Sequence, residues 1–146
     1  MKEELFNLEG LLRSASRMMK ADIRELLGDG MTSSEFMVIR LIEDQGALKA
    51  SEVSKLMEVS ASHITSVTDS LVEKGFITRQ RSSEDRRVIE LALTDDGKSR
   101  LTHFKKKKSL YFQQLFQAFS EEEILNFTKL IEKMLTHKDK AKQDFS

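Results

Sequence analysis

The sequence predicts a mainly α-helical fold with one small β-hairpin, and three observations lead to this prediction. Proline is absent and only 6 glycines occur among 146 residues, so long helices can run between a few glycine-marked turns. Apolar residues recur every three or four positions over most of the chain, which is the period of one helical face. Two short runs, 76–79 and 88–93, are instead rich in β-forming residues, and a polar segment separates them.

Composition places the chain among globular proteins. The 33% charged and 39% hydrophobic residues are typical of a globular protein. A chain of 146 residues is long enough to bury one core, so we expect a single domain. Its apolar runs are far shorter than the ~20 residues that a membrane span needs. The start, Met1-Lys2-Glu3-Glu4, leads directly into an amphipathic helix without the pattern of a signal peptide. We therefore expect a cytoplasmic protein with no membrane partner.

The residues that carry chemistry argue against a metal, a cofactor or catalysis. The chain has no cysteine, which excludes disulfides, thiolate zinc sites and thiol redox sensing. Its histidines, His63, His103 and His137, are too scattered to form a local ligand pair. No ordered set of nucleophile, base and orienting residue is present, and no phosphate-cradling glycine loop. We expect neither an enzyme nor a metal or cofactor site.

The N-terminal part predicts two amphipathic helices. The first spans about residues 4–27 and ends at Gly28-Asp29-Gly30. Thr32 and Glu35 have the capping-box spacing that starts a second helix, which continues to Gly46. The apolar positions of the first helix fall on one face and are Leu5, Leu8, Leu12, Ala15, Met19, Ile23 and Leu26. Those of the second helix are Phe36, Ile39, Leu41 and Ile42.

Residues 51–75 have the spacing of a helix-turn-helix. A short helix opens at Ser51, and residues 58–59 supply a tight turn. The next helix starts at Ser60, a favourable N-cap, and ends at Gly75. The inward positions predicted for the two helices are Val53, Leu56, Met57, Ile64, Val67 and Leu71. The opposite face of the second helix carries Ser62, His63, Ser66 and Asp69.

A β-hairpin follows this helix-turn-helix directly. Its tip carries an acid and paired arginines, Asp85, Arg86 and Arg87, between the two strand-like runs. A hairpin in this position is the wing of a winged helix-turn-helix, a fold that is used mostly to bind DNA. A basic stripe begins just after it, because residues 98–108 contain lysines and an arginine but no acid.

Two further helices are predicted after the hairpin. The run Thr94-Asp95-Asp96 caps a long helix that continues through about Phe119. The run Ser120-Glu121-Glu122-Glu123 is another capping-box pattern and opens the last helix, which has apolar residues on one side as far as Leu135. Charged residues then alternate without an apolar signal, so we expect residues 138–146 to be a frayed tail.

Residues 31–97 resemble the core of the MarR family of transcription regulators. Three segments carry the resemblance in order: LVEKGFI at 71–77, the run Asp85-Arg86-Arg87, and LTDDG at 93–97. The flanking helices also match the family's architecture, so the resemblance covers nearly the whole chain. Ser83 departs from the pattern, because a proline often stands there, and the wing tip is expected to be looser for that reason.

The resemblance implies one MarR-type domain over residues 1–146. A winged helix-turn-helix lobe would span about 31–97. The flanking helices, about 4–30 and 98–137, would intertwine with those of a second copy in an obligate homodimer. In the family the recognition helix enters the major groove of DNA and a wing arginine reaches the adjacent minor groove. The family commonly binds a small-molecule effector at the junction of the dimer and DNA lobes, and the residues identify none here.

The candidate DNA-binding residues lie in the wing and on the recognition helix. The Asp-x-Arg spacing of the family carries the minor-groove role to Arg87, with Asp85 holding it in place, and Arg86 is a further candidate. On the helix, hydroxyls and an imidazole can bond phosphates or base edges, and the candidates are Ser60, Ser62, His63, Thr65 and Ser66. Candidate phosphate contacts are Lys49, Lys55 and Arg81.

Each of these signals also has an ordinary structural explanation. The arginines can be solvated turn residues, the hydroxyls a polar helix face, and the lysines solubility charges. The block of lysines at 105–108 covers every side of one helical turn, so two of the four are expected in solvent, with phosphate steering as a minor role. For the wing arginines, the position in the chain favours DNA binding over a solvated turn. The wing lies beside a recognition helix, and a narrow minor groove attracts a guanidinium.

The function predicted from the sequence is a homodimeric transcription regulator that binds double-stranded DNA. We expect a repressor on a pseudo-palindromic operator, open to release by a small-molecule effector. The rival is a winged-helix adaptor that binds proteins and no longer binds DNA, and the formal net charge of +0 is its best support.

Overall fold

The computed structural model describes residues 1–28 and 30–143, with side chains described as far as residue 138. The elements of this part of the chain are α1 (Lys2–Leu27), α2 (Ser33–Gln45), α3 (Ala50–Met57), α4 (Ala61–Glu73), β1 (Ile77–Arg81), β2 (Ile89–Leu93), α5 (Asp95–Leu115) and α6 (Glu121–Gln143). The predicted fold class, mainly helical with a small hairpin wing, is confirmed.

The hydrophobic core lies in a compact unit that spans Met1–Lys108. Within it α2 packs against α3, α4 and β2, and α4 also packs against β1. The rings of Phe36 and Phe104 meet with their centroids 4.2 Å apart, which joins α2 to α5. The buried apolar residues are Leu27, Met31, Phe36, Val38, Ile39, Ile42, Leu48, Val53, Ile64, Val67, Leu71, Ile77, Leu91, Leu101 and Phe104. This core fixes α4 and the root of the hairpin in one body.

The inward faces predicted for α2 and α4 are confirmed, and one position of α3 is corrected. Leu56 was expected to point inward but is 49% exposed. In this short helix the inward line is formed by buried Val53 and half-buried Met57, which lie one turn apart. Leu41, also expected inward, is half-buried. The predicted inward residues that are buried are Phe36, Ile39, Ile42, Val53, Ile64, Val67 and Leu71.

The ends of α2 and α4 follow the predicted caps. The Thr32 hydroxyl accepts a bond from the Glu35 amide at 3.1 Å, and the Glu35 carboxylate accepts one from the Thr32 amide at 2.8 Å. At the start of α4 the Ser60 hydroxyl accepts a bond from the His63 amide at 3.2 Å. After α4, Gly75 takes a φ of 76°, a left-handed conformation that costs glycine little.

The hairpin is antiparallel and pairs Ile77 with Leu93 at its base and Arg81 with Ile89 towards its tip. A third segment joins it, because Leu48 and Leu91 exchange two backbone hydrogen bonds of 3.1 and 2.7 Å. The sequence did not predict this bridge, since a single residue pair leaves no alternating pattern to detect. It ties the connection between α2 and α3 to the wing.

Most of α1 is exposed in the single chain. The helix ends at Leu27 as predicted, and Asp29 of the predicted stop lies outside the described residues. Leu27 is the buried residue of α1, whereas Leu5, Leu8 and Leu12 on its apolar face are exposed. Monomeric proteins rarely expose so long an apolar stripe.

A second compact unit begins at Ser109 and contains the end of α5 and α6. The predicted extension of α5 to Phe119 is wrong, because the helix ends at Leu115 and a turn follows. There the Gln117 and Phe119 amides bond the carbonyls three residues earlier, at 3.3 and 3.0 Å. The ring of Phe116 packs on those of Phe112, Phe119 and Phe127, which favours the early turn.

The last helix starts at the predicted capping box and runs further than predicted. The Ser120 hydroxyl accepts a bond from the Glu123 amide, and the Glu123 carboxylate accepts one from the Ser120 amide. Helix α6 continues to Gln143 rather than ending near residue 137, because extending an existing helix needs no further apolar residues. Residues 144–146 of the expected tail lie outside the described residues, and its fraying stays a prediction.

The described part of α6 buries no side chain in the single chain. Leu125, Leu130 and Leu135 are among its exposed large apolar residues. In the described part of the chain no helix combines the length and the apolarity that crossing a membrane requires.

Candidate nucleic-acid interface

Helix α4 presents a polar face outward because its apolar face is fully used in the core. Ile64 and Leu71 are buried, whereas Ser62, His63 and Ser66 are exposed on the other side. The first turn is ordered by Ser60, whose hydroxyl both caps the helix and lies 3.2 Å from the Ser62 hydroxyl. The structure thus brings these predicted site residues together on one exposed helix face.

Two of the predicted contacts on α4 already have partners inside the protein. The Thr65 hydroxyl donates to the Ala61 carbonyl at 2.9 Å, so its proton is engaged and only its lone pairs remain for a ligand. The His63 Nε2 atom lies 3.4 Å from the Ser34 hydroxyl at the start of α2. This contact restrains the imidazole at the edge of the exposed face.

The wing tip is an ordered turn that displays two arginines. The Asp85 carboxylate accepts a bond from the Arg87 amide at 3.0 Å, and the Asp85 carbonyl accepts one from the Val88 amide at 3.0 Å. Asp85 therefore supports Arg87 through the backbone. Among the described residues neither Arg86 nor Arg87 has an ion-pair partner for its exposed guanidinium. Both side chains are available to an external anion.

The candidate phosphate contacts divide into a bracing residue and two surface lysines. The Arg81 guanidinium donates to the Arg86 carbonyl at 2.7 Å and so ties the two sides of the tip together. Lys49 stands just before α3 and Lys55 in its last turn, and both are exposed. In the basic stripe, Lys105 forms an ion pair with Glu43, which occupies that ammonium within the protein.

An ion pair that the sequence did not predict joins the wing to α4. Arg79 on β1 bonds Asp69, which lies on the exposed face of α4 as expected. The two residues are ten positions apart, and only the return of the chain along α4 brings them together. Neither residue type nor spacing carried a signal for this pairing. It couples the orientation of the hairpin to that of the helix.

A buried carboxylate forms the second unpredicted link to α4. Glu35 is 3% exposed, and it accepts bonds from the Ser70 hydroxyl at 2.6 Å and from the Lys74 ammonium at 2.8 Å to each oxygen. The sequence identified Glu35 only as a helix cap. Burial alone would raise the pKa of Glu35, but the Lys74 ammonium, the Ser70 hydroxyl and the Thr32 amide together hold it below its usual value of 4.5.

This lowered pKa predicts a pH dependence of stability. A carboxylate whose pKa is lower in the folded state stabilises the fold fully above its unfolded pKa, and that contribution is lost as the pH falls through the folded value. Glu35→Gln should lower the free energy of unfolding by about 1.5 kcal/mol at pH 7. This is the lower end of the range for hydrogen bonds to a charged group, because Lys74 is partly exposed. The difference in the free energy of unfolding between wild type and variant should become smaller below pH 4.5.

Urea unfolding at several pH values measures this difference. Glu52→Gln is the control, since Glu52 also caps a helix start, through the Lys49 amide at 2.7 Å, but is exposed. A wild-type advantage over Glu35→Gln that stays constant from pH 7 to acid would contradict the assigned ionisation.

Metal binding has no geometric support in the described residues. No group of three or more histidine, aspartate or glutamate side chains in the described ranges lies close enough together to hold an ion. His63, the predicted histidine of the interface, instead faces Ser34.

The sequence is similar to known regulators along most of its length. A model described as the MarR family matches residues 31–89. The chain is 40% identical over 130 residues to YpoP of Bacillus subtilis (strain 168), an HTH-type transcriptional regulator, and the match covers 89% of this chain and 92% of YpoP. It is 31% identical over 105 residues to MdtR of the same organism, an HTH-type transcriptional repressor, with 72% and 68% covered.

Solved structures share the fold. A MarR family protein from Bacillus stearothermophilus superposes with a TM-score of 0.84 at 24% identity, covering 94% of this chain and 96% of that one. A mutant MarR from E. coli, complexed with operator DNA, superposes with a TM-score of 0.70 at 24% identity, covering 90% and 96%. The arrangement of helices and wing is therefore the one that these proteins have.

Proposed function

The chain belongs to the MarR family of HTH-type transcriptional regulators, and from this premise we propose that it binds duplex DNA as a homodimer and represses transcription. The observation that carries the proposal is a polar helix face and a pair of unpaired arginines, both held by one core. The mutant MarR that shares the fold was crystallised with operator DNA, which supports DNA as the ligand here.

In this proposal α4 lies in the major groove and the wing in the adjacent minor groove. Ser62, His63 and Ser66 bond base edges or phosphates, and Ser60 and Thr65 assist at the start of the helix. Arg87 enters the minor groove, whose negative potential favours a guanidinium. Arg86 contacts the sugar-phosphate backbone of the DNA beside this groove. Lys49 and Lys55 are the further phosphate contacts. Arg81 is a third candidate phosphate contact and also braces the tip.

A second copy is the proposed partner for the exposed apolar surfaces. In the described part of the chain, the apolar face of α6 and the N-terminal half of the apolar face of α1 are exposed, and a two-fold dimer buries the same surface on both copies. In the second unit an open groove of about 700 Å³ is lined by Phe112, Phe116, Ile124, Phe127 and Ile131, among others. These surfaces are apolar, as the interfaces of obligate dimers typically are.

Repression and its release are the finer parts of the proposal. Repression is supported by the relative MdtR, which is a repressor and is 31% identical to this chain. Release by a small-molecule effector is carried over from the family resemblance. The effector's chemistry is left open.

The geometry of the operator follows from the dimer. Two recognition helices related by a two-fold axis should read half-sites about 10 base pairs apart, centre to centre, in a nearly palindromic sequence. Selection of bound duplexes from a random pool, followed by footprinting of the selected duplex, measures this spacing. Protection of a single asymmetric half-site would contradict the dimeric reading.

Arg87→Ala tests DNA binding most directly. Loss of a guanidinium from the minor groove should weaken binding of the selected duplex by about 1–3 kcal/mol, and the salt dependence should become shallower. Fluorescence titrations at several salt concentrations measure both effects, with circular dichroism as the test of folding. Lys138→Ala, an exposed charge on α6, is the control and should change little.

The same titrations separate the proposal from its rival. Equal affinities of wild type and Arg87→Ala would remove the assigned role of the wing. If the wild type itself shows no salt-sensitive binding to any duplex, the winged-helix adaptor becomes the better explanation.

A further inference from the structure

The first turn of α2 holds α4 at both ends. Near the start of α4, the Ser34 hydroxyl lies 3.4 Å from the His63 imidazole. Near its end, the Glu35 carboxylate bonds Ser70 and Lys74. Along the helix axis, the His63 contact therefore lies roughly 10 Å from Ser70 and roughly 16 Å from Lys74, the residue that follows α4.

The two contacts differ greatly in strength. The link at His63 is long and exposed. The link at Glu35 is buried and charged, and all of its hydrogen bonds are between 2.6 and 2.8 Å. No described side-chain nitrogen or oxygen in the interior lacks a partner, so this buried carboxylate is fully satisfied. Of the two links, the one at Glu35 is therefore the stronger restraint on the orientation of α4.

A small change of tilt at this end becomes a large displacement at the proposed DNA contacts. Ser62 lies eight residues before Ser70, so a tilt of about 5° moves it by about 1 Å. A shift of this size spoils a hydrogen bond to a base edge, because such bonds depend steeply on distance and angle. A 1 Å shift changes the attraction between the basic side chains and the phosphates much less, because this electrostatic contribution depends mainly on the number of charges.

We infer that Glu35 is a positioning residue for sequence recognition: through Ser70 and Lys74 it sets the orientation of α4, and with it the discrimination between DNA sequences, without touching DNA. This inference rests on the proposed DNA-binding function. It assigns to a buried residue of α2 a role that the DNA-facing residues alone would not reveal.

The experiment compares the selected duplex with a scrambled duplex of the same composition. Glu35→Gln keeps the size of the side chain and removes its charge. Lys74→Met keeps the apolar stem and removes the ammonium. The double variant Glu35→Gln/Lys74→Met completes a cycle, and Ser70→Ala, which deletes a single bond, is the milder variant if the others are poorly folded.

The control is a core substitution that leaves every hydrogen-bond partner of Glu35 in place. Phe104→Leu loosens the contact with Phe36, so it lowers stability without removing a partner of Glu35. All variants are titrated at a temperature where circular dichroism shows them folded. The quantity measured is the ratio of dissociation constants for the scrambled and the selected duplex.

We expect each single variant to lose about tenfold in this ratio, the size of one spoiled base-pair contact. The double variant should lose no more than either single variant, because one link is broken in all three. Affinity for the scrambled duplex should stay within about twofold for Glu35→Gln, because its DNA-facing charges are unchanged. Phe104→Leu should keep the wild-type ratio, which a merely structural role of Glu35 would not predict.

Other outcomes overturn the inference. Unchanged discrimination in folded Glu35→Gln and Lys74→Met would show that α4 does not depend on this link, while the proposed function stands. An equal loss in Phe104→Leu would reduce Glu35 to a general stabilising residue. A wild type that discriminates between no duplexes would overturn the proposed function and this inference with it.

Discussion

Gly97→Ala is expected to destabilise the protein by about 3 kcal/mol, the upper range for overpacking. A Cβ atom at this position would lie 2.0 Å from the carbonyl oxygen of Phe76, a distance that no real Cβ contact shows. That oxygen cannot give way easily, since it accepts a bond from the Thr94 amide at 3.1 Å. The Thr94 hydroxyl in turn donates to the Gly75 carbonyl and caps α5 by accepting from the Gly97 amide.

Gly10→Ala is the matched control, with the opposite expected sign. Gly10 lies within α1, and a Cβ there would meet nothing within 4 Å. The exchange should stabilise the protein by about 0.5–1 kcal/mol, because alanine loses less backbone freedom in a helix. Urea unfolding followed by circular dichroism measures both variants. A Gly97→Ala protein as stable as the wild type would show that the junction between the wing and α5 is softer than its bonds suggest.

Leu8→Glu is expected to convert the proposed dimer into monomers. Leu8 lies on the apolar face of α1 and is exposed in the single chain. In a two-fold interface the substitution buries two unpaired carboxylates, and each costs several times what a lost apolar contact costs. Affinity for the selected duplex should then fall by about 100-fold or more, because the two half-sites are no longer bound together.

Ser14→Glu adds the same charge on the polar face of α1 and should leave the dimer intact. Sedimentation at micromolar concentration distinguishes the two states, and the titrations of the selected duplex provide the functional comparison. A wild type that sediments as a monomer would refute the dimer outright. A dimeric Leu8→Glu protein would move the interface away from this face of α1.

What the sequence predicted well depends on nearby residues. The capping boxes at Thr32 and Ser120 use side chains three positions apart, and the face of α4 follows from its own period. The wing was predictable because strand formers flank a polar turn. In each case the interaction that forms the structure lies within one turn or one hairpin.

What the sequence did not predict depends on residues brought together by the fold. Glu35 and Lys74 are 39 positions apart, and neither spacing nor residue type distinguishes this pair from the many other charges of the chain. The bridge of Leu48 to Leu91 and the ion pair of Arg79 with Asp69 are of the same kind. The end of α5 was misjudged because the packing of Phe116 on its aromatic neighbours competes with helix continuation.

The exposure of α1 makes the resistance of this protein to proteolysis depend on its concentration. The N-terminal half of α1 is exposed in the described part of the chain and so has little tertiary support, and a lone copy is expected to unwind at this end. Mass action then makes the melting temperature rise with protein concentration. In a dilute cell the unwound segment would be a cleavage site for proteases, whereas copies paired in the proposed dimer would be protected. The regulator would therefore be degraded faster at low concentration than at high concentration. Below a certain concentration it would not accumulate.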